Sequence, residues 1–373
     1  MQLSYWEKKN WFTNVDFTIV GSGIVGLHTA LRLRELYPKN KILILERGML
    51  PQGASTKNAG FACFGSLSEI LDDLKRHSET EVLSLVEKRW NGLKMLRNRL
   101  GDEAIGFKNY GGYELFFESD SETYHECLQN IEAVNRLLFP LFRENVFSFQ
   151  ADTFGFAKKK DLVIYNRFEG QIDTGNMMQN LLKQVYQNDI LILNHQKVIG
   201  FEELSNSVEV FLENFSFKTK KLIFATNGFA SQLTNQEVIP ARAQVLITKP
   251  IENLRIKGVF HMDKGYYYFR NVGNRILLGG ARNLDFETET TTEIALNEKI
   301  QNRLEEVLKT VILPNQDFEI EHRWSGIMGM GKAKLPIIKQ HSENVYYGVR
   351  LGGIGIAIGS LIGKELAEIV TYN

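Results

Sequence analysis

Cysteine is scarce in this chain: Cys63 and Cys127 are the only two in 373 residues. That excludes a disulfide framework, and neither stands in a C-x-x-C pair or in a Cys/His grouping with zinc spacing, so no structural metal centre is expected. Such usage belongs to a reducing compartment. Charge of one sign is lacking too. Forty-four Lys and Arg cancel 44 Asp and Glu, which leaves no long-range field to gather nucleic acid or an anionic membrane surface. Long hydrophobic runs are also missing. The most apolar stretch, LGGIGIAIGSLIG (351–363), holds five glycines in thirteen positions, too short and too glycine-rich for a spanning helix. The opening MQLSYWEKKNWF lacks the apolar core of a signal peptide. The expectation is a soluble, cytoplasmic protein that binds neither nucleic acid nor metal. A length of 373 residues with 43% apolar and 24% charged residues favours two domains or one large α/β body with an insertion.

What is present begins with VDFTIV running straight into GSGIVG (Gly21, Gly23, Gly26), then a helical pattern, then KILILE ending at Glu46. This is the layout of a dinucleotide-binding βαβ unit. Gly21 permits the tight turn, Gly23 lets backbone N–H groups approach a pyrophosphate, and Gly26 lets helix and strand pack closely. The helix N-terminus adds partial positive charge, and Glu46 is placed to accept hydrogen bonds from ribose hydroxyls.

Further along, GMLPQGASTKNAGFACFGS is rich in small and polar residues, as a loop approached by a ligand would be. Helical periodicity covers SEILDDLKRHSETEVLSLVEKRWNGLKMLRNRL, and YGGYELFFES reads as a strand before a helix around ETYHECLQNIEAVNRLL. From Gly170 a helix and the strands DILILNH, KVIGFEELSNSVEVFLE and KTKKLIFATNG resemble the second half of a nucleotide-binding sheet. GYYYFRNVGNRILLGGA reads as a hairpin with a Gly-Asn turn, NEKIQNRLEEVLKTV as an amphipathic helix, and the last stretch as strand, glycine turn and helix. The nucleotide-type pieces therefore lie at the beginning, middle and end. The expected fold is α/β: a discontinuous Rossmann-like cofactor-binding domain (1–95, 165–236 and 321–373) with a second α+β substrate domain on an antiparallel sheet (96–164 and 237–320).

Taken together, GSGIVG with Glu46, GASTKNAGF, IFATNG, RWSGIMG…LPII and GVRLGGIGIAIG resemble the flavin-dependent oxidases related to D-amino-acid, glycine and sarcosine oxidases. The resemblance spans essentially the whole chain. It implies FAD over Gly21, Ser22, Gly23, Ile24, Val25 and Gly26, with the adenosine ribose on Glu46 and Arg47 nearby. It implies a phosphate-closing loop at Ser55, Thr56 and Lys57, and a run past the flavin ring at Asn58, Ala59, Gly60 and Phe61. Val198 matches an adenine-side backbone position, and Ala225, Thr226, Asn227 and Gly228 match a strand end packed on the dinucleotide. Gly326 falls in a flavin-side segment, while Gly352, Gly353, Ile354 and Gly355 aim N–H groups and a helix N-terminus at the flavin pyrimidine. Sarcosine-oxidase-like members attach flavin through a cysteine in the segment that here reads GIMGMGKAKLP, which has none. Non-covalent FAD is expected.

The activity this implies is oxidation of a C–N bond in an amino acid or secondary amine by hydride transfer to flavin N5, the imine then hydrolysing. Two other readings stand beside it: a 2-hydroxy acid or glycerol-phosphate dehydrogenase, and a flavoprotein of tRNA aminomethyl-uridine modification. The electron acceptor and oligomeric state are left open. A substrate carboxylate calls for an arginine fork and a tyrosine hydroxyl. Tyr267 matches the family's substrate-facing strand position, although strand alternation puts Tyr266, Tyr268 and Arg270 together on the opposite face. Arg350, beside the glycine turn, is taken as the arginine ahead of Arg323 and Arg270. The arginines that relatives place in the WSGIMGMGK segment and at Leu351 are missing. His28, His261 and His322 receive no catalytic role, and Cys63 is read as packing.

Overall fold

The computed structural model describes residues 3–233, 237–332 and 335–370. Two eight-stranded sheets organise it. In the first, Val15–Val20 pairs in parallel with Ile42–Leu45 on one side and Ser216–Phe224 on the other; Leu191–Leu193 and Val345–Val349 extend this parallel core. Five of the six residues of Val15–Val20 and all four of Ile42–Leu45 are buried, because a parallel sheet is covered on both faces and alternation gives way to continuous apolar runs. One face is covered by the helices Ile24–Leu36, Glu79–Leu100, Thr174–Gln187 and Gly355–Ile369. The other is covered by the hairpin Val198–Leu204 and Ser207–Leu212, which pairs antiparallel with the start of Ser216–Phe224.

Glycine decides how closely those helices approach. A Cβ on Gly363 would lie 2.6 Å from His28 Cβ and 2.7 Å from the Val25 carbonyl oxygen, and one on Gly92 would lie 2.2 Å from the Ala357 carbonyl oxygen. The glycine-rich run that is too interrupted for a membrane is therefore a packing surface, with Ser360 Oγ donating to the Gly92 carbonyl. No helix among the described residues is long and apolar enough to cross a membrane.

The second sheet runs Ile320–Met330, Ile239–Thr248, Arg275–Gly280, Tyr267–Val272, Val259–Met262, Gly112–Leu115, Leu162–Asn166, Phe147–Ala151, antiparallel except where Val259–Met262 meets Gly112–Leu115. Helix Glu298–Val307 covers one face, and helix Ser121–Phe142 packs with Leu67–Leu74 at one end. The expected hairpin is present, with Gly273 at φ +57° in its turn. The helical run from Ser68 is cut in two, Leu67–Leu74 and Glu79–Leu100. Ser78 and Glu81 form a capping box that starts a new helix there.

The unit boundaries differ from those drawn on the sequence. Ile320–Met330 pairs along its length with Ile239–Thr248 in the second sheet, so the segment assigned to the first unit from 321 begins in the other one. The expected edges at 95/96 and 164/165 fall inside the helix Glu79–Leu100 and the strand Leu162–Asn166. The edge at 236 lies outside the described residues.

Candidate active site

The two sheets meet at one cavity of about 1020 Å³. On the first-sheet side the turn after Val15–Val20 needs glycine by contact as well as by dihedral. Gly21 sits at φ +105°, where a Cβ would lie 2.8 Å from the Ala225 carbonyl oxygen. A Cβ on Gly23 would lie 2.9 Å from Ser55 Oγ, the atom that accepts the Ile24 N–H at 2.9 Å. Gly21, Gly23, Ile24 and Val25 line the cavity, and the N-terminus of helix Ile24–Leu36 opens onto it. Gly26 does not line it; a Cβ there would be 2.0 Å from the Gly21 carbonyl oxygen, so this glycine closes the turn against its own helix.

Glu46 lines the cavity from the end of Ile42–Leu45. One carboxylate oxygen accepts from the Ser22 N–H at 3.2 Å and the Ser22 hydroxyl at 2.6 Å, and the other from the Gly48 N–H at 3.0 Å. Three donors fix its direction, and Oε1, which takes only one of them, keeps a lone pair for a ligand hydroxyl. Ser22 is itself fully buried and off the cavity, so it orients Glu46. Arg47, stacked on the Phe229 ring at 3.7 Å, and Val198 line the same end.

The loop from Ser55 to Phe61 follows a short 3-10 turn, Ala54–Thr56. Thr56 faces away, its hydroxyl donating to the Pro51 carbonyl at 2.7 Å. Ser55, Lys57, Asn58, Ala59, Gly60 and Phe61 line the cavity. Their backbone is held from outside: the Trp324 indole N–H donates to the Lys57 carbonyl at 2.9 Å, and Arg270 donates to the carbonyls of Ala59 and Ile172. Arg270 is thus a backbone clamp, and burial pushes its pKa down to about 10.

From the strand end beside Gly21, Ala225, Thr226 and Asn227 line the cavity, as do Gly326 and the terminal turn Gly352, Gly353, Ile354 and Gly355, where helix Gly355–Ile369 starts. Asn227 Oδ1 accepts the Leu351 N–H at 3.1 Å, tying the middle strand end to the terminal turn. Gly228 is off the cavity; a Cβ there would be 2.5 Å from the Met328 carbonyl oxygen, so it serves the crossing of two chains.

The expected substrate residues are corrected. Tyr267 points into the core of the second sheet, its ring against Phe117 and its hydroxyl accepting from Arg303 Nε at 3.4 Å. Strand alternation puts Tyr266 and Tyr268 on the cavity face instead. Arg350 does not line the cavity: held at φ +65°, it donates from Nε to the Leu335 carbonyl at 3.0 Å. Arg323 pairs with Glu305 and Gln301. The arginine that does line the cavity beside the tyrosines is Arg282, its guanidinium 4.6 Å from the Phe286 ring centroid. Among the described residues it has no carboxylate within salt-bridge distance, and burial lowers its pKa. Arg282 follows Ala281, at φ +60°, in a 3-10 turn, and no local sequence signal marks it.

His261 lines the cavity beside Phe61, ring centroids 5.3 Å apart. The fold brings it together with Cys63 and Glu169, ligand atoms all within 4.8 Å. Glu169 Oε2 takes His261 Nε2 at 2.9 Å, and burial pushes the Cys63 thiol well above its usual range. Burial thus favours the neutral thiol beside the Glu169–His261 pair.

Two helix N-termini, a buried carboxylate at a strand end, and glycines whose side chains would fill the turn converge on one elongated cavity. That combination defines a dinucleotide-binding protein of the kind that holds FAD, and the residues present fit the group. The chain belongs to the FAD dependent oxidoreductase family, whose model matches residues 16–369. It is similar to gamma-glutamylputrescine oxidoreductase of Escherichia coli strain K12, 21% identical with 95% of this chain and 83% of that protein covered. Its fold is similar to glycine oxidase from Geobacillus kaustophilus (18% identity, 95% and 94% of the two chains, TM-score 0.74). It is likewise similar to L-proline dehydrogenase from P. horikoshii (17% identity, 96% and 93%, TM-score 0.73).

Proposed function

We propose that this chain oxidises the carbon–nitrogen bond of a small amino acid or secondary amine, the resulting imine being hydrolysed by water. Bound FAD supplies the hydride acceptor, flavin N5. The protein contributes position and charge. The Gly352–Gly355 turn and the N-terminus of helix Gly355–Ile369 direct backbone dipoles into the cavity, suited to negative charge gathering on a flavin pyrimidine. Arg282 offers a planar fork for a substrate carboxylate, with Tyr266 and Tyr268 beside it as hydroxyl donors. Phe61 and Met328 add apolar lining to the cavity. Arg282 carries this reading: among the described residues no carboxylate forms an ion pair with it, Glu289, whose charge acts on it, being paired with Arg242, and it shares the cavity of the dinucleotide cradle. The fold shared with proteins named for glycine and L-proline supports the same substrate class.

Anaerobic mixing of the FAD-loaded protein with amino acids, secondary amines and 2-hydroxy acids tests this. Flavin bleaching by an amine substrate is expected, and bleaching by hydroxy acids alone overturns the reading. The absence of cysteine from 326–336 supports non-covalent FAD. Acid precipitation should leave the flavin in the supernatant. The separate free thiols Cys63 and Cys127 support a reducing, cytoplasmic setting.

A further inference from the structure

The Glu169–His261 pair has no part in the dinucleotide cradle. His261 is 6% exposed and Glu169 1%. Burial works against a charged imidazole here. The Glu169 carboxylate on Nε2, aided by Glu69 and Glu114, outweighs it and pushes the pKa up to about 9. An imidazolium has two N–H donors, and only one is spent. Among the described residues no protein group accepts from Nδ1, while the ring lines the cavity.

The other carboxylates near it are engaged. Glu114 accepts from the hydroxyls of Ser66 and Ser68 and from the Ser68 N–H, and Glu69 accepts from the Ser66 N–H. Arg89 stands beside Glu69 and Asp73, and Arg76 lies 3.6 Å from Asp72. The other titratable neighbours are the neutral Cys63 thiol, the Tyr268 hydroxyl, pushed up to about 12 by burial, and Lys264 on the following turn.

Register places this donor relative to Arg282. His261 pairs with Tyr268, and Tyr268 with Gly279. The tyrosine ring lies over Gly279, where a Cβ would be 2.5 Å from Cε2. Arg282 follows that third strand, Arg275–Gly280. Two strand spacings, about 10 Å, therefore separate the backbone carrying His261 from the strand leading to Arg282, with the Tyr268 ring between them.

We propose that His261, backed by Glu169, and Arg282 form a two-point acid-recognition rail across the tyrosine strand, so that the substrate is an amino or imino acid bearing a second carboxylate. The inference rests on Arg282 as the first anchor under the proposed function. A one-acid substrate leaves the His261 N–H facing water, whereas a diacid satisfies both ends.

Inert acids test the rail without turnover. The FAD-loaded protein is titrated with butyrate, valerate and caproate against succinate, glutarate and adipate, following the perturbation of the flavin absorption band. At least one diacid is expected to bind tenfold or more tighter than its one-acid counterpart. In H261N and H261Q that ratio should fall to within twofold of unity. In the unmodified protein it should decline as pH rises through about 9, as His261 loses its proton. A ratio near unity in the unmodified protein, or one that survives both substitutions and the pH rise, overturns the proposal. Failure of the C–N reading would show separately, as flavin that no amine bleaches, or as one-acid binding indifferent to R282M.

Discussion

Ser22 and Glu46 act as one unit: a buried hydroxyl and two backbone amides aim a carboxylate at the cavity. Replacing Glu46 with Ala leaves those donors facing a void and removes the proposed ribose acceptor. At about 1.5–3 kcal/mol for a charged hydrogen bond, FAD affinity should drop roughly tenfold to a hundredfold, measured by flavin fluorescence titration. Tyr267→Phe removes only the contact to Arg303 on the reverse face. It should cost no more than about 1 kcal/mol of stability, with kcat/KM unaltered. R282M should raise KM for a carboxylate substrate tenfold or more while the resting flavin spectrum is retained; an unaltered KM would remove Arg282 from the site. The tyrosine face was legible from the period of a strand, whereas matching family positions pointed to the wrong one of three neighbours. Arg282 lies past the strand end, behind the left-handed Ala281, and Glu169 is 92 residues from His261 in sequence, so only the folded chain brings them to one wall.

At the scale of elements, the glycines of the last helix set its distance from its neighbours. Gly363→Ala would press a methyl against the Val25 carbonyl and His28. It should destabilise by about 1–3 kcal/mol, read from denaturant midpoints, and loosen flavin because the same helix begins at the cavity. This double use explains why that stretch was only half legible. Spacing marked a glycine turn and a helix, but glycine for a ligand and glycine for a helix crossing look alike until the partner is known. The first βαβ unit was readable because its turn, helix and acidic strand end are contiguous. Ile320–Met330 was assigned to the wrong unit because it belongs to the second sheet along its whole length yet lines the cavity at Gly326, Met328 and Met330, and the cavity-side residues alone were visible in the sequence.

For the whole molecule, two buried histidines act in opposite directions on stability. Burial, with Arg99 nearby, holds His28 down at about 3, and both its ring nitrogens are unpartnered. An unfolded histidine takes its proton near about 6.5, so His28 favours the folded state above that pH and withdraws its support as pH falls toward 3. His261, raised to about 9, gives its full contribution below about 6.5 and loses it as pH climbs to 9. Thermal midpoints should therefore peak near pH 6.5 and decline on both sides. H28L should flatten the acid limb and H261N the alkaline one, and limbs of unchanged slope in both variants would refute this assignment.

The proposed grip on the nucleotide draws on Gly21, Gly23, Ile24 and Val25 and on residues 352–355, so it would be a late event in the life of each molecule. At ribosomal speeds of about 5–20 residues per second, roughly 20–60 s pass between the emergence of the first half and the second. During that interval the early βαβ unit faces solvent with its amides unanswered. Nascent chains arrested before residue 352 should not retain flavin, and release through residue 369 should be the moment at which the yellow colour is captured.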